Sequence, residues 1–125
     1  METTASSKPG AREGMGLWLY KIVAGGFIVL LLGLHFIVNH LVAPGGLLTW
    51  ADVVAYYQNP IIPILEILFL IFVVSHALIG TRSIILDLNP SDRVLRVLDA
   101  AFWGVGVVSV GYGIWLVFKI VSFGA

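Results

Sequence analysis

The sequence predicts an all-α integral membrane protein with three transmembrane helices and a short interfacial helix between the first and the second. Three observations carry that expectation. Hydrophobic residues make up 59% of the 125-residue chain and charged residues only 11%, seven basic against seven acidic, whereas an ordinary soluble domain is about 25% charged. A small globule has a large surface for its volume, and so few charges would clothe it poorly. The mean hydropathy is +1.02. No charge interrupts the stretches from Ile22 to Ala51 or from Ala100 to Phe118, and a bilayer-spanning helix needs about 20 apolar residues.

The same counts exclude several classes of function. A net charge of zero leaves no basic footprint for nucleic acid. The absence of cysteine removes disulfides, thiolate-held zinc, iron–sulfur clusters and covalently attached c-type haem. A bound metal centre would therefore draw on His35, His40 or His76.

Along the chain, residues 1–14 are polar and rich in Thr, Ser, Gly and Pro, and read as a cytoplasmic tail. Residues 15–125 form a single membrane domain. Its first helix covers about residues 15–43. The apolar run is far longer than the roughly 7–15 residues of a secretory signal, and Pro44-Gly45-Gly46 ends it. A short helix then carries Trp50, Tyr56 and Tyr57 at headgroup level, with Thr49 or Asp52 as its cap. Pro60 and Pro63 suit the first turn of a second span, about residues 61–87, interrupted only by Glu66, His76 and Arg82. Asn89-Pro90-Ser91-Asp92 is a turn, and the third helix covers about residues 92–122. Within it, Gly104, Gly106, Ser109, Gly111 and Gly113 suit close helix packing. Lys8, Arg12, Lys21, Arg82, Arg93 and Arg96 fall on one side and only Lys119 on the other. That places the N-terminus in the cytoplasm and the C-terminus outside.

Ionisable groups inside a span are costly, and each is a functional hypothesis. Counted from the cytoplasmic face at 1.5 Å per residue, His35 lies about 27 Å deep and His76 about 15 Å. They differ by roughly 12 Å, whereas one haem bound by both would need them at similar depth. The simpler reading is two metal centres stacked across the bilayer, each completed by a second subunit. His40 sits about 140° round the helix from His35 and shares a stripe with Gly26 and Gly33. It is either an interfacial polar residue or a substitute ligand. His76 is either a haem ligand or an intramembrane hydrogen-bonding group. Arg82, about 9 Å from His76 along the axis, suits a haem propionate or snorkels to the helix end. Glu66 reaches the outer interface or caps a neighbour.

His76-Ala-Leu-Ile-Gly80-Thr-Arg82-Ser-Ile-Ile-Leu-Asp87 resembles the second-helix signature of the membrane anchor subunits of succinate:quinone oxidoreductase, respiratory complex II. The stretch from Trp50 to Pro60, with Glu66 ten residues before His76, is similar to the small hydrophobic anchor of the two-haem, two-anchor class. The likeness spans about residues 30–88. It implies haem b, two copies shared with a second anchor subunit. His76 would ligate the haem nearer the cytoplasm, and His35 the outer one, with His40 as the fallback. Arg82 would pair with a propionate, Gly80 would leave room beside the porphyrin or a partner helix, and Ser83 and Asp87 would lie close to a quinone site beneath the iron–sulfur subunit.

The resemblance further implies a flavoprotein subunit that performs the succinate chemistry. It also implies a bacterial or archaeal cytoplasmic membrane, and heterotetramers assembled as trimers. Many relatives carry Tyr after that Asp, where it helps bind the quinone; here the position is Leu88. The alternatives are a fumarate reductase anchor running in the opposite direction and a haem-free structural or assembly subunit.

Overall fold

A computed structural model describes residues 14–47 and 49–125. The expected tail, with Lys8 and Arg12, lies almost wholly outside the described residues. Four α-helices follow one another: α1, Met15–Ile37; α2, Trp50–Tyr57; α3, Ile61–Asp87; and α4, Asp92–Ser122. A π-helical turn, Val38–Val42, extends α1. Three of these units are long and apolar enough to cross a membrane: Met15–Val42, Ile61–Asp87 and Asp92–Ser122. No strand occurs among the described residues.

The first span departs from the uniform helix expected over residues 15–43. Its last turn widens, and the Ala43 amide donates to the Val38 carbonyl at 2.9 Å. Ala43 is extended, with ψ 124°, because the ring of Pro44 bars the preceding residue from helical angles. Gly45 and Gly46 then take φ of +70° and +77°, the left-handed region open to glycine without steric penalty. Both candidate caps of α2 act together. The Thr49 hydroxyl accepts from the Asp52 amide, and the Asp52 carboxylate accepts from the Thr49 amide at 2.9 Å, a capping box. Asn89, at φ 52°, closes α3 in the left-handed conformation, and Ser91 caps α4 by accepting from the Val94 amide.

The helix α3 is the centre of an open row. It packs antiparallel on α1 and on α4, while α1 and α4 scarcely touch among the described residues. On the α1 side, Phe27 stacks on Phe72 with ring centroids 5.1 Å apart. On the α4 side, glycine makes the approach: a Cβ at Gly106 would lie 3.1 Å from Leu78, and one at Gly113 would collide with Leu70. These two glycines of the small-residue run serve helix packing within the chain. At the far end, Trp50 meets Phe123 edge-on and the Gln58 amide donates to the Val121 carbonyl, tying α2 to the end of α4.

The interior is thin. Ala24, Leu31, Ile62 and Val117 are the buried apolar residues among those described, and Asn39 is buried with them. Trp103, Val29, Val108 and many other large apolar side chains face outward. Exposed apolar surface on this scale belongs against lipid or a partner chain.

Candidate functional site

The two histidines named as ligands sit at different levels of the α1–α3 seam. His35 lies opposite Glu66, and His76 lies opposite Gly25. Ten residues of α3 separate the two levels, about 15 Å at the helical rise, close to the separation expected from depth counting. The intervening seam is filled by the Phe27–Phe72 stack.

His76 occupies an apolar seat. A Cβ at Gly25 would lie 3.4 Å from its Cε1 and 3.9 Å from its Nδ1, so the missing side chain lets the imidazole lie close to α1. Nδ1 is buried and has no hydrogen-bond partner among the described residues. Ser75, its neighbour, is committed elsewhere: its hydroxyl donates to the Ile71 carbonyl at 2.6 Å and accepts from Tyr20 at 2.5 Å. Gly80, one turn from His76 on the same face of α3, has nothing within 4 Å of where a Cβ would stand. That flank of α3 is open.

His35 is engaged at both ring nitrogens. Nδ1 lies 2.9 Å from Glu66 Oε1, and Nε2 lies 2.8 Å from Asn39 Nδ2. Asn39 sits in the π-helical turn, buried, with its Oδ1 unpaired. A cavity of about 30 Å³ lies beside the cluster, lined by His35, Tyr56, Ile62, Glu66 and Phe69 among others, which is room for roughly one water. Burial, and then the Glu66 carboxylate, raise the Tyr56 phenol above its usual value; the same causes push Tyr57 up to about 12. His40 is exposed, its ring 5.0 Å from that of Phe36.

The structure does not bring Arg82 and His76 together. His76 faces α1, whereas Arg82 faces α4, where Nε and Nη2 donate to the two carboxylate oxygens of Asp99 at 2.6 and 3.1 Å. The carboxylate that Arg82 meets is therefore one of this chain's own. The pair stands at one end of a cavity of about 710 Å³ between α3 and α4, lined by Leu78, Trp103, Gly106 and Gly111 among others. Asp99 carries no motif that marks it in the sequence. Its one signal is position: it lies seven residues after Asp92 and just before the charge-free stretch. Ser83 accepts from Lys21 Nζ at 2.9 Å and donates to the Ile79 carbonyl. Asp87 ends α3, and Leu88, which follows it, is 77% exposed.

Among the described residues, no three metal-binding side chains gather in one place. Each histidine stands as a single donor, a set that suits a metal held mainly by a macrocycle, where the protein supplies axial ligands only. The seat at Gly25 and the open flank at Gly80 fit a flat group beside His76.

Comparison with known proteins agrees with the helical layout. Residues 3–113 match the model of a family described as the succinate dehydrogenase/fumarate reductase transmembrane subunit. A succinate dehydrogenase hydrophobic membrane anchor subunit from Archaeoglobus fulgidus is 32% identical over 103 residues, covering 82% of this chain and 87% of the relative. No solved structure matches the chain. With most of its length matched and three spans in place, the chain belongs to the succinate dehydrogenase/fumarate reductase transmembrane subunit family.

Proposed function

We propose that this chain is the small anchor of a two-anchor, two-haem succinate:quinone oxidoreductase. It would share haem b with a second anchor subunit and help form a quinone site near the cytoplasmic face. The observation that carries the reading is His76: a histidine inside a span, seated on Gly25, beside the open flank at Gly80. Haem b held there would take and release single electrons in a low-dielectric setting. His35 is the candidate ligand for the outer centre and His40 its substitute, with the second ligand to each iron coming from the partner anchor.

The chain's own residues then have separate tasks. Lys21 and Ser83 tie α1 to α3 at the end where the expected quinone site lies, with Asp87 at the tip of α3. Arg82 and Asp99 fix α3 to α4. Because Arg82 is turned from His76 toward Asp99, a propionate that met it would come from the α4 flank. Lys21, Arg82, Arg93 and Arg96 share one end of the helix row and Lys119 lies at the other, which supports an N-terminus in the cytoplasm. The flavoprotein and iron–sulfur subunits would dock on that end. A fumarate reductase anchor would use the same residues in the reverse direction.

The decisive experiment is His76→Ala in the purified complex, read by haem content and the reduced-minus-oxidised spectrum. One of two haems is expected to be lost while all subunits remain associated. Unchanged haem content would overturn the ligand assignment. One observation favours a haem-free structural role at the outer level: both nitrogens of His35 are bonded within the chain. His35→Ala with full haem content would decide for that role.

A further inference from the structure

We propose that the trough between α3 and α4 is a phospholipid site, holding one hydrocarbon chain of a lipid whose headgroup phosphate meets Arg96. The trough is the cavity of about 710 Å³. It lies on the side of α3 turned from the His76 seat, so a flat group at His76 does not fill it. Its lining is apolar except at Ser75, Arg82 and Asp99. The Ser75 hydroxyl is committed to the Ile71 carbonyl and Tyr20, and the two charges meet each other. An occupant therefore finds hydrocarbon walls along the trough and charge at one end.

Length selects the occupant. The lining runs from Ile71 to Arg82 on α3 and from Asp99 to Ile114 on α4, about 16 and 22 Å at the helical rise. The hydrocarbon core of a bilayer is about 30 Å thick, so one leaflet supplies about 15 Å. A partner helix crossing the membrane would need a groove across the whole core. This seam closes at the deep end of the trough, where Leu70 occupies the space that a Cβ on Gly113 would take. A trough one leaflet long, shut at depth and charged at its mouth, matches a lipid chain entering from the interface. Charge selects the headgroup. Arg96 lies one turn of α4 beyond Asp99 on the same face and is exposed. Arginine pairs with phosphate through two parallel hydrogen bonds. The acids Asp87 and Asp92 lie farther out, at the helix ends, so beyond the ion pair the Arg96 guanidinium is the charge nearest the mouth.

The test uses the purified complex. Phospholipid retained through detergent washing is measured by native mass spectrometry, and the delipidated complex is then offered vesicles of phosphatidylglycerol or of phosphatidylcholine. The wild type is expected to keep a single phospholipid per copy of this chain and to regain phosphatidylglycerol in preference. A Cβ on Gly111 meets nothing within 4 Å, so Gly111→Leu fills the trough without moving the helices. It is expected to lose that lipid while all subunits remain associated. Arg96→Gln is expected to weaken retention several-fold and to remove the preference for phosphatidylglycerol. Unchanged retention in both variants overturns the proposal. Loss of quinone in place of phospholipid from Gly111→Leu also overturns it, and would assign the trough to a quinone tail. This chain has no cysteine, so Val107→Cys, on the trough wall, gives a second readout. Labelling by a membrane-soluble maleimide that appears only after delipidation supports the site. A cross-link from that cysteine to another subunit overturns it, because a helix would then cover the trough.

Discussion

His35 and His76 lie on facing helices of one seam, yet their surroundings are opposites. His35 is held by a carboxylate and an amide from two different elements, with a tyrosine-lined cavity at its side. His76 is held by shape alone, its ring against a glycine and its buried nitrogen unpaired. A buried polar atom without a partner costs about 1–3 kcal/mol. A structural histidine would be expected to shed that cost, whereas a residue kept for binding retains it. The difference teaches that one sequence can prepare an imidazole by hydrogen bonding at one level and by steric fit at the next.

The largest break in that comparison should come from filling the seat. Gly25→Leu places side-chain atoms where the His76 ring lies, and is expected to expel the ring, lower haem content at the inner level and destabilise by about 1–3 kcal/mol. Gly25→Ala, with its Cβ at 3.4 Å from Cε1, makes ordinary contact and should be nearly silent. Haem content and thermal unfolding of the complex distinguish the two. A leucine as silent as alanine would show that steric fit does not hold His76.

Next in size is the ion pair on the other side of α3. Asp99→Ala removes the carboxylate that Arg82 meets across the α3–α4 seam. Removing one partner of a fully buried pair costs about 3–5 kcal/mol. With side-chain exposures of 32% and 42%, the expected loss here is smaller, about 0.5–1 kcal/mol. Asp99→Asn should lose less, and neither should move the inner haem spectrum, since His76 faces α1. A spectral shift as large as that of Gly25→Leu would mean that the two flanks of α3 are coupled.

The smallest effect sharpens the outer level. Tyr57 is pushed up to about 12 by burial and the nearby Glu66, against an unfolded value near 10. The folded state favours the neutral phenol, so its contribution to stability is complete below about pH 10 and is lost as pH rises from about 10 to 12. Phenolate absorbance followed against pH should show a late component that disappears in Tyr57→Phe. A component titrating near pH 10 would mean that this level is wetter than its contacts imply.

The three spans, the interfacial helix, the cap at Thr49 and the turn at Asn89–Asp92 are legible in sequence because each has a local cause: a charge-free run, a hydroxyl before a helix, a proline or an Asn-Pro turn. The π-helical turn was not, since hydrogen bonds five residues apart leave no mark on composition, and only the pre-proline restriction at Ala43 hints at it. Candidate residues were legible where a polar group interrupts an apolar run, as at His35, Glu66, His76 and Arg82. Their partners were not. Pairing Glu66 with His35, Arg82 with Asp99 or His76 with Gly25 requires the antiparallel register and the rotation of each helix, and many small packing terms set both. Gly25 was the least legible, since its function is to be absent beyond the backbone.

The Arg82–Asp99 pair also places a demand on biosynthesis. A lone Arg or Asp costs about 2.5–3.5 kcal/mol at the centre of a membrane helix and less toward its end, where Arg82 stands five residues before the close of α3 and Asp99 seven residues after the start of α4. The ribosome delivers Arg82 before Asp99 exists to answer it, and only the tight turn at Asn89 separates their helices. Entry of α3 and α4 as one hairpin, with the two charges already paired, therefore gains a modest advantage over entry one helix at a time.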